Sequence, residues 1–318
     1  MKPFNVFPYD SNFDFMRLKW VSLAIAALLM VVAIGAIAFK GFNFALDFTG
    51  GVGVELRYAK APNVDAVRAQ LDAAGYDSAQ VQSFGNGSDL LVRLQMDGKQ
   101  EGGADQSSSI GDEVAKAASL AGNPAEKRSS AVISAQVGEE LAMNGFYAML
   151  FVVIGFAVYI SARFEWKFAL AAIVATLHDV LITAGWFALS GHEFDLTVLA
   201  GLLSVMGFSI NDTIVVFDRV RENFRSLRLP PNELLNKSVN QTLSRTVITS
   251  FVALLTVVAL YLYGGGSLRG MAEAQIIGIV IGTLSSIFVA CPLLLWLGVS
   301  KQDLLPKARD EAALARRP

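Results

Sequence analysis

Six long apolar stretches divide the chain, at approximately Trp20–Phe39, Leu141–Ile160, Phe168–Leu189, Leu196–Phe217, Val247–Tyr263 and Ile276–Val299. Each is close to the roughly 20 residues that carry an α-helix across about 30 Å of hydrocarbon. The pattern between the first two stretches is different. VGVELRY (Val52–Tyr58) alternates apolar and polar like a strand, and NVDAVRAQLDAAG (Asn63–Gly75) is spaced like an amphipathic helix. AQVQSF (Ala79–Phe84) and DLLVRLQ (Asp89–Gln95) read as strands joined by Gly85-Asn86-Gly87-Ser88. A polar stretch, Asp97–Ser109, reads as a mobile linker, followed by a helix near Ile110–Leu120 and a strand near Ala131–Val137. The order β-α-β-β-α-β is the split βαβ, ferredoxin-like arrangement. The expected fold is an α-helical polytopic membrane protein with six transmembrane helices and a small α+β ferredoxin-like periplasmic domain between the first two.

The corresponding division is an N-terminal tail at 1–19, a first transmembrane helix at 20–39 and the α+β domain at 40–140. A five-helix bundle at 141–299, with a cytoplasmic loop at 218–245, precedes a tail at 300–318. Composition agrees. Of the 318 residues 53% are apolar and 17% charged, whereas soluble domains average roughly a quarter charged. A single water-soluble globule and a disordered chain are both excluded. The first stretch is too long for a signal peptide's apolar region and lacks a clear cleavage site, so it reads as a retained span.

Charge sets the orientation. Lys2, Arg17, Lys19, Arg163, Lys167, Arg219, Arg221, Arg225, Arg228, Lys237 and Arg245, with the basic residues of the tail, fall on one side of the six spans. By the positive-inside bias that side, with both termini, is cytoplasmic. The segment 40–140, with nine basic and fourteen acidic residues, then lies outside. The net charge of −2 carries no basic excess for nucleic acid. One cysteine, Cys291, permits no intramolecular disulfide, and two histidines make no Cys/His zinc module.

The residues that interrupt the apolar stretches are the informative ones, because an ionisable group at membrane depth costs several kcal/mol. His178 and Asp179 sit mid-span in the third stretch, and Asp212 lies in the fourth, about 9 Å to the cytoplasmic side of its centre. Arg245 stands just before the fifth, followed by Thr246, Thr249 and Ser250. Helical spacing groups Thr176, Asp179 and Thr183 on one face, and Gly201, Ser204, Phe208 and Asp212 on another, joined by Ser209. Gln241, Arg245, Thr249 and Ala253 form a third stripe. Arg245 can reach Asp212 with its stem along apolar surface. Arg245 reads equally as one more positive-inside residue, and Asp179 as a structural carboxylate bonded to nearby threonines and His178. His192, Glu193 and Asp195 read as solvated turn residues, and Asp218-Arg219 as a local ion pair anchoring the loop. Gly278, Gly282, Ser286 and Ala290 form a small-residue ladder that admits another helix closely, ended by a kink at Pro292. The chain has no HExxH helix and no GxxxxGK[ST] loop, so neither a metalloprotease nor a nucleotide-driven machine is expected. The ion gradient remains as the energy source, with no cofactor.

LDFTGG (Leu46–Gly51) resembles the Asp-Phe-x-Gly-Gly signature of the SecD/SecF family. RFEW (Arg163–Trp166), LHDVLIT (Leu177–Thr183), GFSINDTIVVFDRVREN (Gly207–Asn223), SVNQTLSRTVITS (Ser238–Ser250) and GTLSSI (Gly282–Ile287) are similar, in order and spacing, to the SecF half of that family. One departure is Ile133-Ser134-Ala135 before Val137-Gly138, where the family often has Val-Gly-Pro. The resemblance implies a non-enzymatic subunit of the bacterial Sec protein-export machinery, within the resistance-nodulation-division superfamily. It implies pairing with SecD, association with the SecYEG channel, and use of the proton gradient to help complete export of preproteins driven by SecA. It also implies proton conduction through an aspartate and an arginine that fall on Asp212 and Arg245. Asp47, Gly50 and Gly51, with Gly138, are expected at the hinge between bundle and outer domain, with Asp47 serving equally as a cap or brace. Two other functions fit the residues: a small-molecule efflux half-transporter of the same superfamily, and a passive scaffolding subunit.

Overall fold

The computed structural model describes residues 11–76, 79–84, 87–94, 104–133 and 135–304. After a short turn at Phe15–Leu18, the chain forms α1 (Lys19–Phe39), β1 (Asn43–Phe44), α2 (Leu46–Thr49), β2 (Gly51–Tyr58) and α3 (Val64–Ala73). Next come β3 (Gln80–Phe84), β4 (Asp89–Leu94), α4 (Ala104–Ala117) and β5 (Ala125–Ile133). It continues with α5 (Ala135–Arg163), α6 (Trp166–Ser190), β6 (Glu193–Phe194), α7 (Leu196–Ser226), α8 (Pro231–Tyr263) and α9 (Gly266–Ser285). A π-helical turn at Ser286–Ala290 leads into α10 (Cys291–Trp296).

Among the described residues, six helical segments are long and apolar enough to cross a membrane: Phe15–Phe39, Val137–Arg163, Trp166–Ser190, Leu196–Ser226, Pro231–Tyr263 and Leu268–Trp296. Their packing is unequal. Two-thirds of the α6 span (67%) is buried against about a tenth (11%) of α1 or α5, so α6 is central and those two face outward. A helix apolar on every side needs lipid where it lacks a protein neighbour. Small residues set the closest crossings. A Cβ on Gly185 of α6 would stand 2.4 Å from the Ala33 Cβ, so α1 and α6 meet backbone to backbone.

The domain between α1 and α5 has the expected topology. Its sheet runs β3-β4-β2-β5 with every neighbouring pair antiparallel, the ferredoxin-like order. Val52, Val54, Leu56, Leu90 and Val92 pack under Val67 and Leu71 of α3, Val114 of α4 and Ala118 just beyond it. Asn63 caps α3 by accepting from the Asp65 and Ala66 amides. Tyr58, buried at the end of β2, donates to the Ala118 carbonyl at 2.8 Å, and burial pushes its phenol up to about 12.

Several boundaries differ from those expected, each for a physical reason. The last strand is Ala125–Ile133 rather than 131–137. As an outer strand bonded on one edge, it keeps Glu126 and Arg128 in water, and it bulges where Glu55 pairs Ser129 but Leu56 pairs Lys127. Of the polar stretch 97–109, residues 104–109 belong to α4, and 97–103 lie outside the described residues. Once Ile110 and Val114 anchor that helix, extension toward its start needs no apolar signal. Residues 135–140, expected in the outer domain, are the first turns of α5. The stretch 218–245 is not an irregular loop either: α7 runs to Ser226, α8 starts at Pro231, and only 227–230 connect them. Charged and amide side chains tolerate helix well in water, so both helices simply outrun their apolar portions. The kink expected at Pro292 takes the form of the preceding π turn, because proline lacks the amide that would bond four residues back.

The domain is tied down at three places. β1 pairs in parallel with β6, Asn43 opposite Glu193 and Phe44 opposite Phe194, over a cluster of Phe42, Phe48, Phe187 and Phe194. Arg93 of β4 forms an ion pair with Glu193. Burial pulls the Arg93 guanidinium below its usual range, opposed by Asp195 and Asp47 nearby. The third tie is Gly138, where a Cβ would stand 3.0 Å from the Phe48 carbonyl oxygen and 3.1 Å from the Gly50 amide.

Candidate functional site

The helices bring their polar residues into two clusters. In the first, α7 and α9 run side by side on small residues. A Cβ on Gly201 would stand 2.9 Å from the Ala274 Cβ, one on Gly278 would stand 2.1 Å from Val205 Cγ2, and one on Gly282 would stand 3.4 Å from Ser209 Cβ. The expected ladder is therefore occupied within the chain, by α7. That close approach closes a three-helix junction around Asp179 of α6, which is fully buried. Its Oδ2 accepts from Ser209 Oγ of α7 at 2.5 Å and from Ser285 Oγ of α9 at 2.6 Å. Its Oδ1 lies 2.9 Å from His178 Nδ1. The threonines do not take part, since Thr176 and Thr183 donate to the carbonyls of Ala172 and Asp179 within their own helix. His178 is buried too, and its Nε2 has no hydrogen-bond partner. Ser286 is buried in the π turn and donates to the Thr283 carbonyl.

The second cluster lies between α7 and α8. Asp212 is 3% exposed, and its Oδ2 has no hydrogen-bond partner. The hydroxyls of Thr213 beside it and of Thr246 on α8 are likewise buried without partners. Ser250 and Arg245 of α8 lie within electrostatic reach of the carboxyl. Ser250 in turn accepts from Thr283 Oγ1 of α9 at 2.7 Å. Arg245 itself is exposed on the chain's own surface, and among the described residues no ion pair joins it to Asp212. The stripe Gln241, Arg245 and Thr249 thus faces outward, while Thr242, Thr246 and Ser250, one position on, face in. Ser204, placed with Asp212 by spacing, is also exposed.

At the domain end of the bundle, Asp47 braces α7: its Oδ2 accepts from the Leu196 amide at 3.3 Å, beside the Asp195 cap. Gly50 has φ 71° and ψ 170°, and Gly51 has φ 136°, backbone states open essentially to glycine alone. A Cβ on Gly51 would also stand 2.3 Å from the Leu94 carbonyl oxygen. Gly138 therefore packs backbone to backbone on Phe48 and Gly50, and Gly51 packs on Leu94. His192 is not a free turn residue, since its Nδ1 lies 2.7 Å from Glu273 Oε1, which also accepts from Trp186 Nε1. At the opposite end Asp218 pairs with Arg163 at 3.2 Å, and Arg219 with Glu222, so the Asp218-Arg219 pair does not form.

The groups that sequence reasoning passed over are Ser285, Glu273 and the asparagines of the α7 and α8 ends. Ser285 stood inside GTLSSI, but its neighbour Ser286 fitted the ladder spacing.

Comparison with known proteins agrees with this architecture. Residues 113–300 match the family described as protein export membrane protein SecD/SecF, C-terminal, and residues 35–62 match the SecD/SecF GG motif. The protein translocase subunit SecF of Pseudomonas aeruginosa is 44% identical over 301 residues, 93% of this chain and 95% of that protein. The subunit of the same name from Escherichia coli O157:H7 is 41% identical over 305 residues, 95% of this chain and 93% of that protein. The crystal structure of SecDF from Thermus thermophilus, described as a translocon-associated membrane protein, superposes with a TM-score of 0.81 at 37% identity. That match covers 92% of this chain, which spans only 40% of the SecDF chain.

Proposed function

Since this chain belongs to the SecD/SecF family of protein-export membrane proteins, we propose that it is a SecF-type subunit of a Sec translocase that converts a proton gradient into assistance for export. It pairs with a SecD-type partner, which would supply the remainder of a SecDF-like assembly, and works beside the SecYEG channel on preproteins driven by SecA. The positive-inside distribution supports an inner-membrane orientation with both termini cytoplasmic and the sheet domain periplasmic.

One observation carries this reading: the Asp212 carboxyl is buried at membrane depth with an oxygen left without a partner, one helix away from Arg245. A fully satisfied carboxylate is held by its donors, whereas Asp212, with Ser250 beside it, keeps Oδ2 open to take a proton without displacing a donor. When Asp212 is ionised it attracts the Arg245 guanidinium, and when it takes a proton that attraction is lost. A change of one charge in a low-dielectric bundle biases how α8 packs on α7, and packed helices respond in discrete steps rather than by gradual deformation. Asp179 and His178 supply the fixed end of the route, a carboxylate held by two serines beside an imidazole whose Nε2 faces inward unpaired. The outer domain receives the motion through Asp47 on α7 and the Gly50–Gly138 contact on α5.

Inverted vesicles carrying the complex test this. Asp212→Asn or Arg245→Met is expected to leave pairing with the SecD-type partner intact and to abolish gradient-stimulated export. Normal stimulation in either variant would remove that residue from the route and favour a passive scaffolding role.

A further inference from the structure

Outside the two aspartate clusters, the first turns of α8 carry Asn232, Asn236 and Asn240, spaced four apart on one face. Against that face lies the segment leading into α1. Asn240 reads one backbone residue on both sides: its Oδ1 accepts from the Phe13 amide at 3.0 Å, and its Nδ2 donates to the Phe13 carbonyl at 2.9 Å. Asn236 Oδ1 accepts from the Met16 amide at 2.9 Å, and its Nδ2 donates to Asp14 Oδ1 at 2.5 Å. Asn232 Oδ1 accepts from Lys19 Nζ at 3.0 Å. From the other side α7 grips the same stretch, Asn223 Nδ2 donating to Ser238 Oγ at 2.8 Å and to Gln241 Oε1 at 2.9 Å. Asn240 and Asn223 are both buried.

These bonds explain polar residues of SVNQTLSRTVITS that the proton route does not use. Apolar contacts would let α8 slide or turn by a fraction of a residue at little cost. A buried amide paired in both directions has one register, because any shift leaves its donor and acceptor unsatisfied. The clasp ends five residues before Arg245. Beyond it, Ile248, Phe251, Val252 and Leu255 stand exposed on the chain's surface, and the polar ties there are single ones, Thr283 to Ser250 and Arg269 to Tyr261.

We propose that residues Phe13–Lys19 form a strap that sets the axial register of α8, and that Asn236 and Asn240 are positioning residues for the Asp212–Arg245 pair. This rests on the reading of that pair as the gradient-responsive element.

The test uses the whole complex in inverted vesicles. Asn236→Ala with Asn240→Ala is expected to cut gradient-stimulated export at least fivefold while the SecD-type partner still co-purifies. Backbone amide exchange over residues 231–245 should quicken at least tenfold. A second variant, Phe13→Cys with Asn240→Cys, replaces the clasp by a covalent one. Cys291, the natural cysteine, is buried. Joined by a short bifunctional thiol crosslinker, this variant should regain at least half of wild-type stimulation, and left unjoined it should stay deficient. Full stimulation in the double alanine variant, or no recovery on crosslinking, would overturn the strap. An Asp212→Asn control that keeps its stimulation would instead overturn the reading of the pair, and the exchange rates would still report on the strap.

Discussion

Asp179 and Asp212 are the same residue type, both buried, on helices that pack together, yet their surroundings differ in kind. Asp179 sits where three helices converge on small residues, and each of its oxygens has a neighbour from the cluster. Asp212 sits between α7 and an α8 that is largely uncovered, with one oxygen unpaired. Close packing supplied by Gly278 and Gly282 is what brings the two serines within reach of Asp179. The α7–α8 contact has no such ladder. A carboxyl wrapped in donors is held in place, and one with an open oxygen can take a proton without displacing a donor, so in the proposed route the number of donors separates the fixed end from the titrating one.

The strongest way to break this comparison is to neutralise each carboxyl in turn. Asp212→Asn should remove gradient-stimulated export, at least tenfold, while lowering stability by less than about 1 kcal/mol, since no observed bond to Oδ2 is lost. Asp179→Ala should instead cost on the order of 2–4 kcal/mol, as both serine hydroxyls lose their acceptor. Thermal unfolding of the purified complex and vesicle export assays, run side by side, would expose an exchange of these phenotypes. Next in size is Gly278→Leu. It forces α9 off α7 at Val205 and should loosen the Asp179 junction, lowering stability by about 1–3 kcal/mol. An unchanged melting temperature would deny that small residues build the site. Smaller again is Ser285→Ala, expected to cost about 1 kcal/mol, whereas Ser286→Ala, whose hydroxyl bonds only its own helix, should be near neutral. Equal effects would contradict the assignment of the second donor.

The mildest test moves to water, where the same rule can be read by pH. Tyr58 is buried with a single bond, and its phenol titrates near 12 instead of 10. Its folded value is raised, so its contribution to domain stability is complete below pH 10 and lost as pH climbs toward 12. Phenolate absorbance should show Tyr58 ionising last, together with unfolding of the domain. Ionisation of all tyrosines near pH 10 in the folded protein would contradict this.

Much of this molecule could be read from its residues. The six spans follow from run length, and the sheet order follows from alternation in β2 to β4, because burial on one face forces that pattern. Asp212 was singled out by its cost at depth. Other features depended on neighbours that a single sequence does not disclose. Nothing in Ser285-Ser286 says which hydroxyl faces α6, because the π turn that decides it arises from Pro292, six residues on. Arg245 and Thr246 belong to stripes of equal polarity, and only the packing of α8 on α7 turns Thr246 inward. The helices spanning 218–245 are hidden because their exposed faces are charged, a pattern shared by helix and loop.

The unbroken length of α7 has a mechanical consequence. Its 31 residues make a continuous helix of about 46 Å without proline, Gly201 and Gly207 lying within it, and Asp212 lies near its fulcrum, roughly 24 Å from the end that Asp47 holds. A tilt of about 5° at the carboxyl would carry the far tip some ~2 Å, more than a hydrogen bond can stretch. Leverage of this kind would let the proposed proton step at Asp212 be felt at the base of the outer domain with no chain of messengers between.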